Sequence, residues 1–191
     1  MNSRANDPAY IEKQYFVRGM IPEHPQIFAR WAERSAAARA KLHCELNVRC
    51  GTSEDETLDI FFAQDKPKQF LLFIHGGYWR SLDKSDHSQL AQEFVRHGVT
   101  VAFNNYSLAP KVPLAEIVRQ ARAATAWCAR NAARYGLPAN EIYVAGHSAG
   151  GHLTAMQLTA DWGKDAPDLP ANFIKGAFAI SGLYDLAPLL Q

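Results

Sequence analysis

The chain has 191 residues, enough for one domain with a sizeable core but short for two. Twenty basic residues against nineteen acidic ones leave a net charge of +1, which excludes the strongly basic surface of nucleic-acid-binding or membrane-surface proteins. The three cysteines have no metal-ligand spacing, and no apolar run is long enough for a signal peptide or a membrane span. We therefore expect a single cytoplasmic domain over residues 1–191 that acts on a small molecule. A homodimer is compatible with these features.

The first elements are a helix and a strand pair. Small and apolar residues at helical spacing predict a helix over residues 25–42. Residues 46–50 alternate, with Leu46, Val48 and Cys50 on one side, as in a half-exposed strand. A turn and a second strand at 58–62 follow, so the two strands are predicted to be antiparallel.

From residue 70 onward, apolar strands alternate with helices. Strands are predicted at residues 70–74, 99–106, 142–145 and 174–180. Between them we predict a helix capped by Ser85 or Asp86 that ends near Gly98, a helix over 113–136, and a helix over 148–160. This alternation predicts the α/β class, with a mostly parallel sheet flanked by helices.

Residues 146–150, Gly-His-Ser-Ala-Gly, fit the pattern G-x-S-x-G between a predicted strand and a predicted helix. A sharp turn at this place lifts a serine hydroxyl above the sheet edge, so Ser148 is the candidate nucleophile. A side chain at either glycine would collide with the neighbouring strand or helix. The alternative is a serine N-cap on an ordinary strand–helix turn.

His75, Gly76 and Gly77 close the strand at 70–74, where an α/β-hydrolase places its oxyanion loop. Two backbone N–H groups must face the oxyanion of a tetrahedral intermediate. Ala149 is the candidate for one donor, and Gly76 or Gly77 for the other, while His75 is expected to order the loop by a hydrogen bond. The alternative is an ordinary glycine turn. Nothing resembles a phosphate loop or a dinucleotide fingerprint, so no cofactor is expected.

At four segments the chain resembles the kynurenine formamidase (arylformamidase) branch of the α/β-hydrolases. The segments are HGGYWRSLDKSD at 75–86, NYSLAP at 105–110, GHSAGGHL at 146–153 and ISGLYDL at 180–186. The resemblance implies a serine hydrolase that cleaves N-formylkynurenine or a similar small aryl amide or ester. It places Tyr78 and Trp79 beside the substrate, although Trp79 could equally anchor the loop. Tyr184 is placed near the active-site edge, and Asp185 is expected to be a turn or cap residue.

The triad order of this fold is serine, then acid, then histidine, but only His152 follows Ser148. His152 is expected on the helix flank, and His147 is expected to turn away from the serine, so neither is a candidate general base. Two further strand–helix units of about 30 residues each would be needed for the acid and the base. The sequence therefore predicts the N-terminal portion of a hydrolase, nearly inactive alone, with a bare apolar sheet edge at 174–180 that favours aggregation.

Two other functions are compatible with the same motifs. The first is a carboxylesterase of broad substrate range, because neither motif distinguishes an amide from an ester. The second is a non-catalytic binding protein on a hydrolase scaffold.

Overall fold

The computed structural model describes residues 7–138 and 141–190. Six strands form one sheet: β1 (Cys44–Arg49), β2 (Thr57–Phe61), β3 (Gln69–Ile74), β4 (Val99–Asn104), β5 (Ile142–His147) and β6 (Ile174–Ile180). The α-helices of the described residues are α1 (Pro8–Tyr15), α2 (His24–Lys41), α3 (Ala91–Arg96), α4 (Leu114–Asn131), α5 (Ala149–Leu158) and α6 (Trp162–Asp165). The described residues also form 3-10 helices at Val17–Met20, Lys84–Leu90, Ala132–Tyr135 and Ala187–Leu190. None of the described helices is long and apolar enough to cross a membrane.

The sheet has the strand order β1-β2-β4-β3-β5-β6. β1 pairs antiparallel with β2, and β2 pairs antiparallel with β4, whereas β4, β3, β5 and β6 run parallel. The predicted α/β class and the antiparallel first pair are confirmed. In the register of β3 and β5, Ile74 lies beside Gly146, so the loops that follow these two strands meet at one edge of the sheet.

Both faces of the central strands are buried. Alternation along β3 sends Leu72 and Ile74 into the larger core cluster, together with residues of α4 and α5, and sends Phe73 into a smaller cluster with residues of α3. Burial on both faces is what a parallel strand covered by crossover helices requires. The central strands and their covering helices therefore form a rigid base for the loops above them.

The prediction for β1 is wrong at Leu46, which is 44% exposed rather than turned inward. The register shifts around Asn47, whose φ is 56°, so the two-residue alternation is interrupted there. The Asn47 N–H donates to the Asp59 carboxylate at 2.9 Å, and the Asn47 side-chain oxygen accepts from the buried Lys84 ammonium at 2.9 Å. Asn47 is itself exposed, so it links the rim of β1 to two buried polar side chains, Asp59 and Lys84.

The predicted cap at Ser85 or Asp86 is also wrong, because Asp83 caps the segment that precedes α3. The Asp83 carboxylate accepts from the Ser85 N–H at 2.8 Å, and the Asp86 carboxylate accepts from the Asp83 N–H at 3.0 Å, which completes a capping box. The first two turns are 3-10 rather than α-helical. Carbonyls of this segment accept hydrogen bonds from Ser35 and Arg39 of α2 instead.

β6 lies at the edge of the sheet, as predicted. Phe178 on this strand is 68% exposed, the largest exposed fraction among the large hydrophobic side chains described. Charged side chains on an edge strand oppose pairing with another chain, and Lys175 is the one charged residue of β6.

Candidate active site

Ser148 occupies a strained turn between β5 and α5. Its φ is 58° and its ψ is −121°, a conformation that residues with a side chain rarely adopt. The Ser148 N–H donates to the Ile180 carbonyl at 2.8 Å, which ties the turn to β6. Within the described chain the Ser148 hydroxyl makes no capping hydrogen bond to α5, so the geometry does not favour the N-cap alternative.

The two glycines that flank the turn are required by close backbone contacts. A Cβ at Gly146 would collide with the Gly150 carbonyl in α5, and a Cβ at Gly150 would collide with the Ile74 carbonyl at the end of β3. The collisions predicted from the sequence are therefore present, one with the helix and one with the neighbouring strand.

The loop that follows β3, residues 75–77, is the Gly76 loop, and it touches the Ser148 turn directly. An ideal Cβ built at Gly76 would lie 2.7 Å from the His147 carbonyl oxygen and 3.2 Å from Cβ of Ser148. Gly77 has a φ of 107°, which favours glycine. The structure thus places Gly76 against Ser148, while Gly77 and Ala149 are the chain neighbours of these two residues.

His75 holds the Gly76 loop by a side-chain hydrogen bond. Its Nδ1 lies 2.7 Å from the Gly76 carbonyl oxygen, and since a carbonyl only accepts, Nδ1 carries the proton. Burial lowers the pKa of His75 to about 4, so the ring is neutral near neutral pH. In a trans peptide the C=O and N–H point in opposite directions, so this bond also fixes the direction of the Gly77 N–H. The predicted ordering hydrogen bond is present.

Tyr106 completes the support of His75, and the sequence analysis gave it no role. Its ring stacks on His75 with centroids 4.3 Å apart and planes at 8°, and its hydroxyl donates to the His75 carbonyl at 2.9 Å. Burial raises the pKa of Tyr106, so the hydroxyl keeps its proton. Its place at the end of the predicted strand 99–106, at the same sheet edge, was the available signal.

Tyr78 and Trp79, the predicted substrate contacts, both have left-handed backbones, with φ of 54° and 55°. Trp79 is only 7% exposed and packs edge-to-face on His152 with ring centroids 5.2 Å apart. This burial favours the anchoring interpretation of Trp79. The Tyr78 hydroxyl donates to the Tyr15 carbonyl at 2.5 Å, so it points toward the N-terminal helix.

The residues after β6 lie at the same edge as Ser148. Tyr184 is 60% exposed there. The Asp185 carboxylate accepts from the Ala187 N–H at 3.2 Å, which confirms its role in a turn. His152 lies on the flank of α5 against Trp79, and His147 is exposed. Over residues 7–138 and 141–190, no histidine is hydrogen-bonded to Ser148, and no cluster of three potential metal ligands occurs.

A family model described as BD-FAE matches residues 58–173, more than half of the chain. The chain belongs to the BD-FAE family. The match begins in β2 and ends just before β6, so it includes both the Gly76 loop and the Ser148 turn.

Three known proteins show how this BD-FAE chain is related to others. Kynurenine formamidase from Salmo salar is 35% identical over 176 residues, which are 90% of this chain and 56% of that protein. Isoprenylcysteine alpha-carbonyl methylesterase from Arabidopsis thaliana is 27% identical over 147 residues, 74% of this chain and 34% of that protein. The crystal structure of a candidate thioesterase from Silicibacter sp. tm1040 superposes with a TM-score of 0.76 at 32% identity, covering 92% of this chain and 64% of that one.

These likenesses confirm a kynurenine formamidase-like α/β-hydrolase fold. The chain spans about half the length of the curated kynurenine formamidases from Salmo salar and Danio rerio that it matches.

Proposed function

We propose that this chain carries the nucleophile and the oxyanion hole of a serine hydrolase that cleaves small aryl formamides of the N-formylkynurenine type. The observation that carries the proposal is the contact between the Gly76 loop and the strained Ser148 turn. The kynurenine formamidase from Salmo salar supports the substrate class.

In the first step the Ser148 oxygen attacks the formyl carbon, and the carbonyl oxygen becomes an oxyanion. The Ala149 N–H at the start of α5 and a Gly76 or Gly77 N–H donate to that oxyanion, and each such donor contributes about 10²–10³ in rate. When the intermediate collapses, the C–N bond breaks, and the arylamine leaves with a proton. Water then hydrolyses the formyl ester of Ser148 to formate and free serine.

A general base must take the Ser148 proton and deliver it to the leaving nitrogen. His75 does not serve, because its Nδ1 proton is committed to Gly76 and the ring is buried. His152 packs against Trp79 instead of bonding to the serine. We therefore expect the 191-residue polypeptide by itself to be nearly inactive, because a serine without a base keeps an ordinary hydroxyl.

Ester hydrolysis is the second candidate, and the isoprenylcysteine methylesterase from Arabidopsis thaliana favours it. The chemistry at Ser148 is the same, since only the leaving group changes from an amine to an alcohol.

The test compares N-formylkynurenine with phenyl acetate as substrates of the complete gene product. Ser148→Ala should lower kcat for both by on the order of 10⁴ or more. The matched control is Ser181→Ala, because Ser181 also follows a strand at this edge and also has a positive φ, 49°. Faster turnover of the formamide, measured as kcat/KM, supports the first candidate, and faster turnover of the ester supports the second. Activity retained by Ser148→Ala would refute both.

A further inference from the structure

The Gly76 loop, which is the proposed oxyanion loop, continues into a turn whose central residues do not favour that conformation. The Arg80 N–H donates to the Gly77 carbonyl at 3.0 Å, so residues 77–80 form a β-turn. Both central residues, Tyr78 and Trp79, are left-handed. Turns of this kind favour Asn-Gly, because a large side chain disfavours positive φ. Contacts from elsewhere must therefore hold this turn in place.

On one side the core holds the turn. Trp79 is buried against His152 of α5, and the Trp79 carbonyl accepts from the Ala109 N–H at 2.7 Å. These contacts fix Trp79 but do not reach the Tyr78 side chain, and on this side the Gly77 carbonyl is bonded by Arg80 of the turn itself.

On the other side lies the segment formed by α1 and the 3-10 turn Val17–Met20, which we call the N-terminal arm. The Tyr78 hydroxyl donates to the Tyr15 carbonyl at the end of α1. Arg18 donates from its guanidinium to the Ser81 hydroxyl at 2.8 Å, and that hydroxyl donates to the Gly77 carbonyl at 3.0 Å. Arg18, Ser81 and Gly77 thus form a relay of two hydrogen bonds from the arm to the oxyanion loop.

The relay is well placed to act on the loop. A hydroxyl that accepts from a guanidinium becomes a stronger donor, so Arg18 strengthens the bond from Ser81 to Gly77. Arg18 is half-buried, and its guanidinium lies 5.3 Å from the ring centroid of Phe28 on α2, which limits its motion. The Gly77 carbonyl and the Gly77 N–H, a proposed oxyanion donor, belong to the same residue. The orientation of the carbonyl therefore bears on that donor through the φ and ψ of Gly77 alone.

We propose that Arg18, acting through Ser81, is a positioning residue for the oxyanion hole, which makes the N-terminal arm part of the active site. The proposal rests on the proposed function for its effect on turnover. Because the relay holds the loop before any substrate arrives, its loss should lower kcat and leave KM nearly unchanged.

The experiment uses the complete gene product with Arg18→Ala, Ser81→Ala and the double variant. Each single variant should lower kcat by about 10- to 100-fold, as expected when donors shift by a fraction of an ångström. The double variant should be no slower than Ser81→Ala, because both changes break one relay. Arg18→Lys keeps a cationic donor and should restore part of kcat. Arg96→Ala, which removes an exposed arginine paired with Glu93 at 3.1 Å, is the matched control and should leave kcat unchanged.

A second measurement separates this proposal from the proposed function. Amide hydrogen exchange of residues 76–81 should rise several-fold in Arg18→Ala and Ser81→Ala but not in Arg96→Ala, whatever the reaction proves to be. Unchanged exchange and unchanged kcat in Arg18→Ala would overturn the relay. So would a loss confined to KM or to the melting temperature, or multiplicative losses in the double variant. If Ser148→Ala stays active, the proposed function fails, and exchange alone then decides the relay.

Discussion

Replacing Gly76 with alanine should impair catalysis while leaving the fold intact. The added Cβ would lie 2.7 Å from the His147 carbonyl oxygen. Comfortable carbon–oxygen contacts begin near 3.3 Å, so the loop and the Ser148 turn must separate by roughly half an ångström. If this loop donates to the oxyanion as proposed, a shift of that size should lower kcat by about 10²-fold, or about 2.7 kcal/mol of transition-state stabilisation.

The assay measures kcat on an aryl formamide and an aryl ester with the complete gene product, beside thermal unfolding. Gly163→Ala in α6 is the control, because the nearest atom to its added Cβ is an Asp161 carboxylate oxygen at an ordinary 3.4 Å. Alanine in a helix favours folding by roughly 0.5–1 kcal/mol over glycine, so this control should melt no lower than the wild type. The reasoning is refuted if Gly76→Ala keeps kcat within about twofold of wild type, or if both variants lose activity equally.

Two further predictions concern stability and association. Because His75 has a pKa of about 4 when folded and near 6.5 when unfolded, the unfolded chain takes up the proton first as the pH falls. The free energy of unfolding should therefore drop by up to about 3 kcal/mol between pH 6.5 and 4. Urea titrations should show a flatter decline for His75→Asn, whose amide nitrogen can replace Nδ1, and an equal decline would contradict the assignment. The 191-residue polypeptide should self-associate through the apolar β6 edge, and Phe178→Lys should reduce the self-association. Light scattering coupled to size-exclusion chromatography measures the molar mass of both proteins. A monomeric wild type would refute the prediction.

The sheet and the Ser148 turn could be predicted from the sequence because their signals are local. Mainly apolar runs bounded by glycine, proline and polar residues mark β3, β4 and β5, and burial on both faces leaves few other arrangements for them. The Gly-x-Ser-x-Gly pattern is equally local, since the side chains it forbids would collide within one strand–turn–helix unit or with the adjacent strand. Local sequence patterns were sufficient to predict this part of the site.

The details that sequence reasoning missed depend on partners far along the chain. Asp83 outcompetes Ser85 as a cap partly because Asn105, which follows β4, donates to its carboxylate. The register shift in β1 occurs where Asn47 accepts a hydrogen bond from Lys84, a residue that follows β2 and β3 in the chain. α1 was not predicted at all, and it is held by Tyr78, 63 residues after the carbonyl that Tyr78 binds. Such contacts appear only once the sheet order is known.

The difference between local signals and contacts far along the chain also bears on where substrate specificity arises. A Trp79 ring that is 7% exposed and packed on His152 has little surface left for a substrate, and the Tyr78 hydroxyl is committed to the N-terminal arm. The aromatic pair that most resembles a substrate-binding wall in the sequence is therefore mainly engaged in holding the strained turn at residues 77–80. Tyr184, 60% exposed at the same edge as Ser148, is the predicted pocket residue that still has a free face to offer. Under the proposed function, Tyr78 and Trp79 would shape the oxyanion loop and Tyr184 would contact the aryl group, so substitutions of the pair should mainly change kcat and those of Tyr184 mainly KM.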